Sequence, residues 1–231
     1  MGRLKMSTEI LKSTVAALVA GGMFLAAEQA SALPIMTLSD GTTTVTVTDG
    51  GANDASGIAG AITFAGSIGN FNLNVTTGVS KPFLGSAGWP KMDLNDISVS
   101  SNGGGTLTIT FSDSGFEGPR ALSSAMGGVT EGTAHFEVWL DPDNTLLAKT
   151  TQIADLGSFE GAFSGTTSGA FTTAAGPYAI TQVAILTHAV GTQVSSFNLQ
   201  TKAVPEPATF GLLGIALAGL GFLARRQRNA A

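Results

Sequence analysis

In Thr106-Leu107-Thr108-Ile109-Thr110-Phe111, every second residue is apolar and each one between is threonine. Side chains leave a β-strand on alternate faces, so this spacing predicts a strand with Leu107, Ile109 and Phe111 turned to a core. Threonine, β-branched and polar, suits the wet face of a pleated sheet. The pattern recurs along the chain. Val45 and Val47 alternate with Thr44, Thr46 and Thr48. Phe71, Leu73 and Val75 alternate with Asn72, Asn74 and Thr76. Ala134, Phe136, Val138 and Leu140 alternate with His135, Glu137 and Trp139. Residues 178–188 are apolar for longer and predict a central strand, and residues 194–203 predict a last one. Residues 62–64, 97–99 and 147–153 are further candidates. Asp49-Gly50-Gly51, Gly103-Gly104-Gly105, Asp141-Pro142-Asp143-Asn144 and Gly176-Pro177 supply turns between them. Helical spacing is confined to one short turn over residues 120–126. Many short strands separated by turn residues predict an all-β ectodomain, an antiparallel β-sandwich or jelly roll, over residues 33–203.

The two flanks read differently. Arg3, Lys5 and Lys12 precede an apolar stretch over residues 13–27, and Ala30-Ser31-Ala32 follows it. A basic start, an apolar centre and a small-x-small site make residues 1–32 a secretory signal peptide, cleaved after the Ala30/Ala32 pair by signal peptidase. At the other flank stands Val204-Pro205-Glu206-Pro207. Its prolines fix φ and lack N–H groups, so the tetrapeptide is extended. Residues 208–224 carry no charge, and Arg225, Arg226 and Arg228 follow within the basic tail 225–231. As a helix the apolar run reaches about 25 Å, at the short end for crossing a bilayer. The arginines would hold its far end in the cytoplasm.

Signal peptide, exported domain, Val204-Pro205-Glu206-Pro207, apolar helix and arginine cluster together resemble a PEP-CTERM protein. The resemblance covers the last 28 residues or so. It implies that exosortase, a membrane enzyme of Gram-negative bacteria that make extracellular polysaccharide, reads the Pro-Glu-Pro motif and removes the helix beyond it. The precursor would sit in the inner membrane and the product at the cell surface or outside the cell.

Composition narrows what the middle does. The chain has no cysteine, so neither a disulfide nor a cysteine nucleophile is available. Between residues 33 and 203 five basic residues stand against thirteen acidic ones, a net charge of −8. That balance argues against nucleic-acid binding, which needs a basic patch. The sequence has no G-x-S-x-G, no H-E-x-x-H and only two histidines, His135 and His188. No cofactor is implied.

Two places have chemistry worth weighing. His135, Glu137, Trp139 and Asp141 share one strand face. A ring that stacks beside groups that fix hydroxyls is what a sugar-binding surface needs, although Trp139 equally suits a packing role under a loop. Asp141 and Asp143 offer oxygens to calcium, yet Asp, Pro and Asn form a plain hairpin turn by themselves. The expected function is therefore a non-enzymatic structural role in biofilm or extracellular polysaccharide. A carbohydrate-binding module is the alternative, favoured by a flat face carrying Trp139. A glycan hydrolase comes last, and a pocket lined by two carboxylates would favour it.

Overall fold

The structure, a computed structural model, describes residues 33–119, 121–170, 176–204 and 215–217. Its strands are β1 (Ile35–Ser39), β2 (Thr44–Thr48), β3 (Ala61–Ile68), β4 (Phe71–Val79), β5 (Lys91–Ser101), β6 (Gly105–Phe116), β7 (Ala121–Asp141), β8 (Thr151–Ala170), β9 (Tyr178–His188) and β10 (Gln193–Ala203). They pair antiparallel in the order β2-β1-β6-β9-β7-β10-β5-β4-β3, with β8 paired to β7 off that path.

The long strand β7 joins two leaves. Its residues 122–130 pair with β10, and its residues 133–141 pair with β9. The ladder breaks at Glu131-Gly132, where β9 hands over to β10. One leaf is therefore β2-β1-β6-β9 and the other β3-β4-β5-β10, with β7 and β8 running through both. The leaves face each other across the core. The Phe111 ring of one leaf lies so close to Gly78 of the other that a Cβ there would stand 2.5 Å from it. Phe136 meets Phe197 with ring centroids 5.3 Å apart, and Phe71 meets the His188 ring at 5.5 Å. The fold is an all-β antiparallel sandwich. One end of it is the bend, with the β9–β10 loop. The opposite end is open and carries the loops β2–β3, β4–β5, β6–β7 and β7–β8.

Leu107, Ile109, Phe111, Phe136 and Val138 are fully buried, as their alternation predicts. Val75 is not. It points outward, while Thr76 is buried. Against β3, β4 carries an extra residue between Leu73 and Thr76, and against β10, β5 carries one between Asp96 and Val99, which swaps the faces beyond each bulge. Of the helical turn expected over residues 120–126, the described residues 121–126 are instead the start of β7. Leu122, Ser124 and Met126 face the core there, held by pairing to Ala203, Thr201 and Leu199. The candidate strand at 147–153 is displaced as well. Leu147 has φ 64°, in a loop, and β8 starts at Thr151. The signal-peptide residues, including Ala30 and Ala32, lie outside the described residues, as do Pro205, Glu206, Pro207, Arg225, Arg226 and Arg228. Residues 215–217, within the apolar run, are helical. No helix among the described residues is long and apolar enough to cross a membrane.

Among the described residues, one buried ion pair joins the two leaves. Lys81 Nζ donates to Asp113 Oδ2 at 2.8 Å and stands 4.4 Å above the Phe116 ring. Ser80 Oγ also donates to that carboxylate, at 2.6 Å. The pair ties the β4–β5 loop of one leaf to the end of β6 in the other.

Candidate functional site

Alternation along β7 puts His135, Glu137 and Trp139 on the outer face of the leaf that contains β9. There they form a connected row. Trp139 Nε1 donates to Glu137 Oε2 at 2.8 Å, and Glu137 Oε1 lies 3.3 Å from His135 Nε2. The other ring nitrogen, Nδ1, lies 3.1 Å from Ser158 Oγ on β8. Asp155 of β8 comes within 3.7 Å of His135 Nε2. All three side chains of the row are partly exposed. The row offers a half-buried indole flanked by a carboxylate and an imidazole, with the indole N–H already spent on Glu137.

Asp141 does not join that row. It is buried and turned to its own loop. Its Oδ2 accepts the Thr145 N–H at 2.8 Å, and its Oδ1 accepts the Thr150 hydroxyl. Burial works to raise its pKa, but the hydrogen bonds from Thr150 and Thr145 outweigh it and hold the carboxyl below the usual range. Asn144, in the left-handed region at φ 60°, reaches across to accept the Gly115 N–H at 2.6 Å. Asp143 is exposed. The segment is thus a turn that organises its own backbone, and the calcium expectation finds no assembled oxygen set. Among the described residues no three His, Asp or Glu side chains converge as metal ligands.

A second feature was not visible in the sequence. At the bend, a cleft of about 590 Å³ is lined by Glu131, Glu160, His188 and Gln193 together with threonines and glycines. Its residues come from β7, β8, β9 and β10, which is why no local motif announces it. Two carboxylates in a cleft are what a glycan hydrolase needs. Both, however, are exposed, whereas the acid that protonates a leaving group is held away from water. Glu131 Oε2 accepts the Val194 N–H at 2.8 Å.

His188 sits at the cleft wall, 2% exposed. Its Nε2 lies 2.7 Å from Ser195 Oγ and its Nδ1 lies 2.8 Å from Ser101 Oγ. Burial lowers its pKa, against a smaller upward pull from Glu131. A neutral ring suits two hydroxyl neighbours, accepting from one and donating to the other. In a nucleophilic triad the base is oriented by a carboxylate and the nucleophile is open to substrate. Here a hydroxyl stands in the carboxylate's place, and Ser195 is 1% exposed.

No curated protein matches the chain. Among solved structures, it is similar to the CBM36-1 domain of a multidomain xylanase from the hindgut metagenome of Trinervitermes trinervoides. That match has 11% identity over 47% of this chain and 78% of the other, at a TM-score of 0.29. A CBM36 carbohydrate-binding module in complex with calcium and xylotriose matches at 16% identity over 46% of this chain and 79% of that one, TM-score 0.28. The structure of infectious bursal disease virus Gx strain matches at 14% identity over 77% and 57%, TM-score 0.31. Scores of this size carry no argument about what the chain binds. The tail gives a sharper result. The last strand, β10, ends at Ala203, and the Val204 N–H donates to the Ala121 carbonyl at 2.9 Å. The match to the family model begins where the strand ends: residues 203–228 are a PEP-CTERM protein-sorting motif.

Proposed function

We propose that this chain is an exported surface or extracellular-matrix protein whose β-sandwich is delivered by its tail and serves a non-enzymatic, structural role in biofilm or exopolysaccharide. Signal peptidase removes residues 1–32. Residues 208–224 hold the precursor in the inner membrane, basic end inside, and exosortase cuts at the Pro205-Glu206-Pro207 motif. The product is then released to, or kept at, the cell surface. The observation that carries this reading is the sorting motif at 203–228, directly behind the last strand. Glu206 is the one charged group of Val204-Pro205-Glu206-Pro207 and would pair with a cation of the processing enzyme. Mass spectrometry of the mature C-terminus tests the route. The expected product lacks Arg225, Arg226 and Arg228, and Glu206→Ala blocks its formation. Intact basic tails on the surface-located wild type would overturn it.

Carbohydrate binding is the second reading, supported by the partly exposed Trp139 held beside Glu137 and His135. A glycan hydrolase built on Glu131 and Glu160 stands behind both, and release of reducing sugar from the producer's own polysaccharide is its test.

A further inference from the structure

We infer that the open end of the sandwich is a lipid-resting surface, on which the domain sits against the headgroups of the bilayer while the sorting tail is still in the membrane. The inference rests on the membrane-held precursor proposed above.

Tether length makes the first argument. Ala203 N–H is bound to the Pro90 carbonyl and Val204 N–H to the Ala121 carbonyl, each at 2.9 Å, so the fold holds the chain through Val204. The apolar run starts at residue 208. Four steps of extended backbone reach at most about 14 Å. The headgroup layer accounts for roughly 5–8 Å of that on one side of a bilayer. The end of β10 therefore cannot stand more than several ångströms from the lipid.

The second argument is what that end displays. β10 ends there beside the start of β5 and the start of β7. The exposed aromatic side chains among the described residues, Phe83 at 61% and Trp89 at 45%, both belong to the β4–β5 loop, next to Pro90. Ile58 of the β2–β3 loop and Leu33 before β1, each 51% exposed, lie at the same end. The Ser80 N–H bonds the Gly60 carbonyl, tying the two loops together. Exposed apolar side chains in water are a liability, but Trp and Phe at the membrane–water boundary are anchors.

Charge makes the third. Lys91 and Lys202 stand directly opposite one another on β5 and β10. Like charges in that position repel; Asp93, two residues along β5 on the same face and opposite Gln200, accepts from Asn198. An anionic headgroup between the two lysines turns the repulsion into attraction. Asp49 and Asp54, also at this end, accept backbone N–H groups, which fixes their orientation and leaves them negatively charged, so the attraction is local to the Lys91–Lys202 pair. On the β7–β8 loop Asp143 and Lys149 offset one another, and Glu117 adds one negative charge from the β6–β7 loop.

The test uses the full chain reconstituted into vesicles of phosphatidylethanolamine and phosphatidylglycerol, with part of the lipid brominated. Trp89 and Trp139 are its two tryptophans. Flotation reports whether the chain is held in the bilayer. Trp139→Phe then leaves Trp89 as the probe, and Trp89→Phe leaves Trp139. The expected result is flotation, a blue-shifted Trp89 emission quenched by the brominated lipid, and far weaker quenching of Trp139. Replacing Lys91 and Lys202 by Glu should reduce the Trp89 quenching. Flotation with Trp89 quenched no more than Trp139 overturns the resting surface and leaves the membrane-held precursor standing. Failure to float overturns that reading, and the surface with it.

Discussion

The hydroxyl of Thr76 donates to the carboxylate of Asp96 on the neighbouring strand, and both side chains point into the core. Asp96 Oδ1, the other oxygen, is buried with no hydrogen-bond partner. Burial pushes this carboxyl up to about 6, partly opposed by the Thr76 hydroxyl and the Ser98 backbone. The sign follows from linkage. A carboxyl whose folded pKa is raised makes the folded state bind more protons, so stability falls as pH rises from about 4 towards 7. At about 1.4 kcal/mol per unit, the loss is at most on the order of 3 kcal/mol. Thermal unfolding between pH 4 and 7 should show a falling melting temperature, and Asp96→Asn should flatten that dependence. A wild-type melting temperature that rises over this window would refute the assignment.

Asp96 also shows where the sequence was legible and where it was not. Period two placed Leu107, Ile109 and Phe111 inward because β6 keeps a single phase along that run. Asp96 and Thr76 were out of reach because two neighbouring strands each absorb an extra residue, and a bulge leaves no local mark in Asn74-Val75-Thr76. The strand β8 was largely missed for another reason. Its second half, Gly-Ala-Phe-Ser-Gly-Thr-Thr-Ser-Gly-Ala, has no apolar alternation to detect, and pairing to β7 alone makes it a strand. The cleft with Glu131, Glu160 and His188 depends on four strands meeting at a bend, which no spacing along the chain encodes. The sorting tail was readable because its signal is local and ordered.

Phe136 is fully buried between Phe163 and Phe197, with ring centroids 5.5 and 5.3 Å away. Phe136→Ala should therefore cost about 3–5 kcal/mol. Thr108 lies on the outer face of β6, and Thr108→Ala should stay within about 0.5 kcal/mol. Gly78 has no room for a side chain, since its Cβ would meet the Phe111 ring at 2.5 Å. Gly78→Ala should cost about 1–3 kcal/mol through overpacking. Denaturant unfolding of the three variants would read this order, and a Thr108 variant weaker than the Phe136 variant would reverse the assignment of faces.

The Lys81–Asp113 pair is buried on both sides, at 7% and 0% side-chain exposure. Removing one partner leaves the other charged and unpaired in the interior. Lys81→Met should cost about 3–5 kcal/mol. Replacing both Lys81 and Asp113 by apolar residues should recover much of that loss. A double-mutant cycle by chemical unfolding measures the coupling, and additive losses would show that the pair contributes no more than its separate contacts.

Trp139 separates the structural reading from the sugar-binding one. Its indole N–H is committed to Glu137 at 2.8 Å, so the ring's polar edge is already satisfied within the protein. What remains for a ligand is the exposed part of the ring face. Stacking on a sugar ring by that face would contribute on the order of 1–3 kcal/mol of affinity, by analogy with other aromatic stacking. If instead the ring covers the β7–β9 surface, its removal exposes apolar area beneath it and leaves Glu137 without its donor. The half-buried position favours the second outcome: Trp139→Ala should lower the melting temperature, at a cost of roughly 1–2 kcal/mol, and leave retention on immobilised exopolysaccharide unchanged. Glu137→Gln keeps the ring in place and still accepts a hydrogen bond, so it should change little in either measurement. Lost retention in Trp139→Ala at an unchanged melting temperature would reverse the ranking and make the His135–Glu137–Trp139 row a carbohydrate-binding face.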